Sequence, residues 1–286
     1  MNAFNLPTDI LPGWQQPDSG ITLHHYTAQS AALKEMAVLQ TNAVSLVIKG
    51  SKTMHFLAGT VNVNDSEIHL LSSGNCIASV SLSRPFESIL IFFDDKILSG
   101  FYLTHGELVD KLKKNRKILP ESYVAIKKDG FINNYIQSLL LMLSGEKQVS
   151  ESMKQLKLNE LLLYLLENRT DSFLSFQDTG KSGNIEARIR KVLEANKLNN
   201  LNVEELAFLC NMSTSTFKRH FNKIYNSSPN QWLNEQKMLL AWKLLSEQGE
   251  KPGDIWLQLG FETHTGFTKS FKKRFGKLPK ELALKS

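Results

Sequence analysis

Short apolar runs broken by turn residues fill positions 20–100, and the breaks define the expected elements. AVSLVIKGSKTMHFLAG predicts two strands around Lys49-Gly50-Ser51, and SEIHLLSSGNCIASVSL predicts two more around Ser72-Ser73-Gly74. SILIFFDD, residues 88–95, is a continuous apolar run closed by Asp94 and Asp95 and predicts a buried strand. Several short strands at this spacing predict a small antiparallel barrel or sandwich.

The period then changes. FINNYIQSLLLMLSG (131–145) and SMKQLKLNELLLYLLEN (152–168) place apolar residues at helical spacing, with Gly145 as a stop for the first. Both are richer in leucine than one core-facing stripe requires. Packing onto the barrel uses one face, and a homodimer contact is a use for another. RTDSFLSFQDTGKSGN (169–184) is polar, contains Gly180 and Gly183, and predicts a linker. The expected organisation is a domain over 1–170, a linker over 171–184 and a second domain over 185–286. The fold class is α+β: a β-barrel or sandwich followed by helices, joined to an all-α domain.

The second domain contains a repeat. ELAFLCNMSTSTFKRHFNKIYNSSP (205–229) aligns with DIWLQLGFETHTGFTKSFKKRFGKLP (254–279). Leu206 matches Ile255 and Asn211 matches Gly260 at an offset of 49; Phe217/Phe267, Phe221/Phe271 and Pro229/Pro279 match at an offset of 50. Each copy predicts helix, tight turn, helix. Asn211 and Gly260 tolerate a left-handed turn, and Ser213 and Thr263 are N-cap residues. The phenylalanines, four apart, share one buried face. The opposite face carries Thr214, Ser215, Lys218 and Arg219 in the first copy. In the second it carries His264, Thr265, Lys269, Lys272 and Lys273. Short hydroxyls on a first turn followed by cations suit a helix that enters a DNA major groove. Pro229 opens a connecting helix, expected over 230–245.

Charge sharpens this picture. Residues 185–286 hold 17 Lys/Arg against 10 Asp/Glu, whereas the preceding residues hold 17 against 18. The positive excess belongs to the repeat-bearing domain, as a polyanion-binding module requires.

At these motifs the chain resembles the AraC/XylS family of bacterial transcription regulators. LNVEELAFLCNMSTSTFKRHFNKIYNSSPNQWL, KMLLAWKLL and IWLQLGFETHTGFTKSFKKRFGKLPKEL carry the resemblance, which covers 185–286. It implies sequence-specific binding of double-stranded DNA, usually as an activator. Base-reading positions map to Ser215, Lys218, Arg219, His264, Thr265 and Lys269. Phosphate contacts map to Thr214, Lys223, Lys272, Lys273 and Arg274. The implied partners are a second copy of the chain, RNA polymerase, and either a small effector or a regulatory protein acting on a cupin-like front domain. The chain departs from the family pattern at Trp256, where a small alanine is usual and the first copy keeps Ala207. It departs again at Gly266, inside the second reading helix, and at Lys237, where arginine is common. These departures predict a less sharply reading second motif.

No enzyme is expected. His24, His25, His55, His69 and His105 are dispersed, without His-x-His and a carboxylate at ligand spacing, so no metal site or other cofactor is expected. Cys76 and Cys210 have no metal-type spacing, and Cys76 has no neighbouring His or Arg to activate it. No run of 18 apolar residues predicts a membrane span, and MNAFNLPTDILPGW does not read as a secretory signal. The expected compartment is the cytoplasm.

Overall fold

The computed structural model describes residues 3–11, 14–15, 17, 19–28, 32–80, 85–114, 116–145, 147–176, 184–197 and 199–283. The chain divides into two compact units, Met1–Asn184 and Ile185–Ser286.

The first unit contains strands β1 (Phe4–Leu6), β2 (Ile21–Thr27), β3 (Ala32–Leu39), β4 (Asn42–Lys49) and β5 (Ser51–Phe56). They are followed by β6 (Gly59–Asn64), β7 (Glu67–Leu71), β8 (Gly74–Val80), β9 (Glu87–Phe93) and β10 (Tyr123–Lys127). One sheet runs β1-β3-β8-β5-β6 and the other β10-β7-β4-β9-β2. The pairings are antiparallel except for the parallel β1–β3 edge.

Both pairs of strands expected from the turn residues are present, but neither pair is a hairpin. β4 and β5 meet at Gly50 and go to different sheets, as do β7 and β8. Gly50 makes the first crossing with φ 83°, and a Cβ there would lie 2.4 Å from the Pro85 carbonyl oxygen. Only glycine fits both the backbone conformation and that approach.

Val47, Met54, Phe56, Val63, Phe86 and Phe92 belong to the core between the sheets. Leu46, Ile89, Ile91 and Phe93 belong to a second core shared with the helices. β9 therefore contributes to a core on each face, which is why its sequence is continuously apolar from Ile89 to Phe93.

The helices are α1 (Asp95–Thr104), α2 (Gly106–Lys113), α3 (Gly130–Leu143), α4 (Glu151–Asn168) and α5 (Thr170–Ser175). Asp94, read as a strand stop, also starts α1 by accepting the Ile97 amide at 3.0 Å. Asp129 and Ser150 cap α3 and α4 in the same way.

The expected linker needs correction at its front. Residues 170–175 are helical, and Phe173, Leu174 and Phe176 are fully buried in the helical core. Three large apolar side chains in FLSF outweigh their polar neighbours, so order extends to Phe176. Residues 177–183 of the expected linker lie outside the described residues.

The second unit is all-α: α6 (Ile185–Asn196), α7 (Val203–Leu209), α8 (Thr214–Tyr225), α9 (Pro229–Ser246), α10 (Pro252–Gln258), α11 (His264–Phe275) and α12 (Pro279–Ala283). The fold class is thus α+β followed by all-α, as the sequence predicts. Pro229 is the first residue of α9, and Ser228 and Gln231 close a reciprocal capping box around it. At 18 residues, α9 is about 27 Å long. Among the described residues, no helix is long and apolar enough to cross a membrane.

Candidate nucleic-acid interface

α7 and α8 form the first helix-turn-helix. Asn202 and Glu205 exchange capping hydrogen bonds at the start of α7, at 2.9 and 2.7 Å. Asn211 makes the turn with φ 54°. Ser213 caps α8 by accepting the Thr216 amide at 3.2 Å. Phe217 and Phe221 are completely buried, with ring centroids 5.8 Å apart. They orient the helix, and the outer face follows from the 3.6-residue period. Ser215, Lys218, Arg219 and Lys223 are exposed, whereas Thr214 is half-buried on the first turn. Asn222 is also exposed, three residues after Arg219 and seven after Ser215. It belongs to the same outer face, and helical phase alone would have found it.

α10 and α11 repeat the arrangement. Gly260 turns with φ 70°, and Thr263 caps α11 by accepting the Gly266 amide at 3.0 Å. Phe267 and Phe271 are completely buried with the same 5.8 Å separation. His264, Thr265, Lys269, Lys272 and Lys273 are exposed. The His264 ring sits edge-on to Trp256 at 6.4 Å and to Phe267 at 6.3 Å. Trp256 is half-buried against the α9–α11 core, while Ala207 in the first copy is enclosed. The large ring is therefore accommodated at the rim of the helix crossing.

Arg274 differs from the lysines in having an acidic partner within the domain. It lies seven residues after Phe267 and three after Phe271, where the first copy has half-buried Ile224, and its side chain is exposed. Its Nε donates to both carboxylate oxygens of Glu235 on α9, at 2.6 and 2.8 Å. This exposed ion pair ties α11 to the connecting helix.

Both α8 and α11 end in a left-handed residue, Asn226 with φ 49° and Gly276 with φ 72°. Their N-termini, with partial positive charge, lie at the same end as Ser215 and Thr265 and favour nearby phosphates. Each helix thus presents short polar side chains first and cations one turn later.

The dispersed histidines have local partners. His25 Nε2 lies 2.8 Å from Glu87, His55 Nδ1 2.7 Å from Thr60 Oγ1, and His69 Nδ1 2.8 Å from the Tyr123 hydroxyl. Among the described residues, no group of three or more His, Cys, Asp or Glu side chains is arranged to hold a metal ion. Burial pushes the thiols of Cys76 and Cys210 up to about 12, which keeps both protonated at neutral pH.

Residues 206–284 match a family described as a helix-turn-helix domain, and residues 42–176 match the ExsA N-terminal regulatory domain. The virulence regulon transcriptional activator VirF of Yersinia enterocolitica is 25% identical over 240 residues, covering 84% of this chain and 88% of that protein. The HTH-type transcriptional regulator ExsA of Pseudomonas aeruginosa is 23% identical over 245 residues, covering 86% and 87%. Among solved structures, ToxT from Vibrio cholerae covers 93% of this chain and 98% of its own, at 12% identity and a TM-score of 0.38. With an ExsA-type regulatory domain followed by two helix-turn-helix motifs, the chain belongs to the AraC family of DNA-binding transcription regulators.

Proposed function

We propose that the chain is a cytoplasmic, non-enzymatic transcriptional activator. In this reading residues 185–286 read an operator, and the front domain, residues 1–170, receives the controlling signal and pairs two copies. The observation that carries it is the recurrence of a polar-then-cationic outer face on α8 and α11, fifty residues apart. Ser215, Lys218, Arg219, His264, Thr265 and Lys269 read base edges. Thr214, Lys223, Lys272 and Lys273 hold phosphates. Asn222 joins the first set, and exposed Arg274 joins the second. Activation, through contact with RNA polymerase, is supported by the activator role that the name VirF records.

Control by a small effector is supported by polar groups without partners inside the first unit. Ser45 and Ser88 are fully buried, and neither hydroxyl has a hydrogen-bond partner. The Lys52 ammonium lies 4.5 Å from the Phe86 ring centroid and 5.8 Å from that of Tyr26. Burial lowers its pKa to about 8. These groups have polar capacity to offer a ligand. Control by a partner protein is supported by Leu103 on α1, which is 84% exposed. Pairing of two copies is supported by exposed leucines near the α3–α4 connection: Leu141 at 75% and Leu156 at 61%.

The test is binding of the full chain to its genomic sites across a salt series. Six to ten phosphate contacts imply a loss of roughly 10³–10⁵ in affinity between 50 and 200 mM salt. A flat response, or genomic mapping that finds no preferred sites, would overturn the proposal.

A further inference from the structure

Three segments of the second unit converge on the turn that precedes α11. Asn200 comes from the α6–α7 connection, where it is held in left-handed conformation with φ 49°. Its side-chain amide donates to the carbonyl of Gln258, the last residue of α10. Lys237 comes from α9; its Nζ lies 3.4 Å from the Gly260 carbonyl oxygen and 5.5 Å from the centre of the Phe261 ring. Gly260 lies between them. A Cβ at that position would stand 3.1 Å from the Asn200 side chain and 3.2 Å from the Lys237 ammonium.

The equivalent turn of the first helix-turn-helix has no need of glycine. Asn211 takes the same left-handed conformation with an exposed side chain. Asparagine would therefore satisfy the backbone at 260 as well. Packing adds the requirement for glycine there: the segment leading into the first motif and the connecting helix both touch the turn of the second. The Asn200–Gln258 bond joins the segment that leads into α7 to the end of α10, and adds to the covalent link through α9.

We propose that this junction fixes the separation and relative rotation of α8 and α11, and hence the number of base pairs between the two DNA contacts. Asn200, Lys237 and Gly260 are positioning residues for operator spacing and touch no base. The inference rests on both helices reading DNA. One inserted base pair moves a contact by about 3.4 Å and rotates it by about 35° around the duplex. A rigid pair of motifs must reject that change, whereas a hinged pair accommodates it.

The test uses the full chain and an operator obtained by in vitro selection. Three duplexes carry the selected spacing, one added base pair, or one deleted base pair between the contacted segments; a fourth carries the first segment alone. The unaltered protein should bind the shifted duplexes about tenfold or more weakly, a loss of the size of one mismatched contact. Asn200→Ala and Lys237→Met should shrink that ratio to about two- to threefold while affinity for the single-segment duplex stays unchanged. A wild-type protein indifferent to spacing would overturn the proposal. So would variants that keep the wild-type ratio, or that weaken all four duplexes equally, as a loss of folding would. Failure of the underlying reading looks different: selection would then return one contacted segment, leaving no spacing to set, and the proposal would fall with it.

Discussion

In the first helix-turn-helix, α7 opens on the reciprocal capping box of Asn202 and Glu205; in the second, α10 opens on Lys251 with no side-chain cap, and Pro252 supports its first turn. The first has an enclosed alanine at the helix crossing, Ala207, whereas the second has Trp256 held at the rim. At equivalent positions α8 has half-buried Ile224, whereas α11 has exposed Arg274 paired with Glu235. At the third position of the reading helix the first has Thr216 and the second Gly266, whose helical penalty is about 1 kcal/mol relative to alanine. The same plan is thus held by apolar burial and capping in one copy and by long-side-chain contacts in the other. Apolar burial is indifferent to salt, but an exposed ion pair is screened by it. The second motif should be the more salt-sensitive of the two.

The largest effect should come from the buried rings. Phe217→Ala and Phe267→Ala should each destabilise their motif by about 3–5 kcal/mol, with the smaller loss at Phe267 because Trp256 and His264 can settle into the space. Amide hydrogen exchange under increasing urea reads each motif separately, and equal losses would break the comparison. A smaller effect is expected at the helix crossings. Ala207→Trp should cost about 1–3 kcal/mol or more by overpacking. Trp256→Ala should cost less, and thermal melts that reverse this order would place Trp256 in the core.

Reading should differ as packing does. Arg219→Ala should cost about 1–3 kcal/mol at the preferred operator and relax one base pair. Lys269→Ala, which removes a single-point donor, should relax specificity less. Lys273→Ala should weaken all sequences alike and make the salt slope shallower by about one. Fluorescence anisotropy on operator and random duplexes separates these outcomes; equal loss on both for Arg219→Ala would make it a backbone contact. The smallest change is a repair: Lys251→Ser should supply the absent cap and stabilise the second motif by about 0.5–1 kcal/mol in urea denaturation. No gain would mean that Pro252 already provides all the order that the turn needs.

What was legible in the sequence is what depends on local chemistry. Ser213, Thr263 and Pro229 announce helix starts, Asn211 and Gly260 announce turns, and phenylalanines four apart announce the buried face. The outer faces follow, because a helix has one period. The sheets were less legible. A strand's pattern says which residues face inward but not which sheet receives it, so β4 and β5 resemble a hairpin until Pro85 is seen against Gly50. The end of the first unit was hidden for a related reason: FLSF is too short to show a period, and its place in the core is set by residues far away. The Asn200–Gln258 bond, across 58 positions, leaves no trace in either local pattern.

The interleaving of strands between two sheets also bears on how quickly each half of the chain acquires its structure. Ile21 pairs with Phe93, and Leu39 with Gly74, so ring closures of many residues precede the contacts that reward them. Folds dominated by such distant pairings take milliseconds to seconds, whereas helical modules with neighbouring contacts finish in microseconds to milliseconds. Refolding followed by circular dichroism should accordingly show a fast helical phase and a slower one belonging to the sheets. During synthesis, about 5–20 s passes while the last hundred residues are added. The slow half emerges first, and its barrel has time to close before the ribosome completes the part that grips DNA.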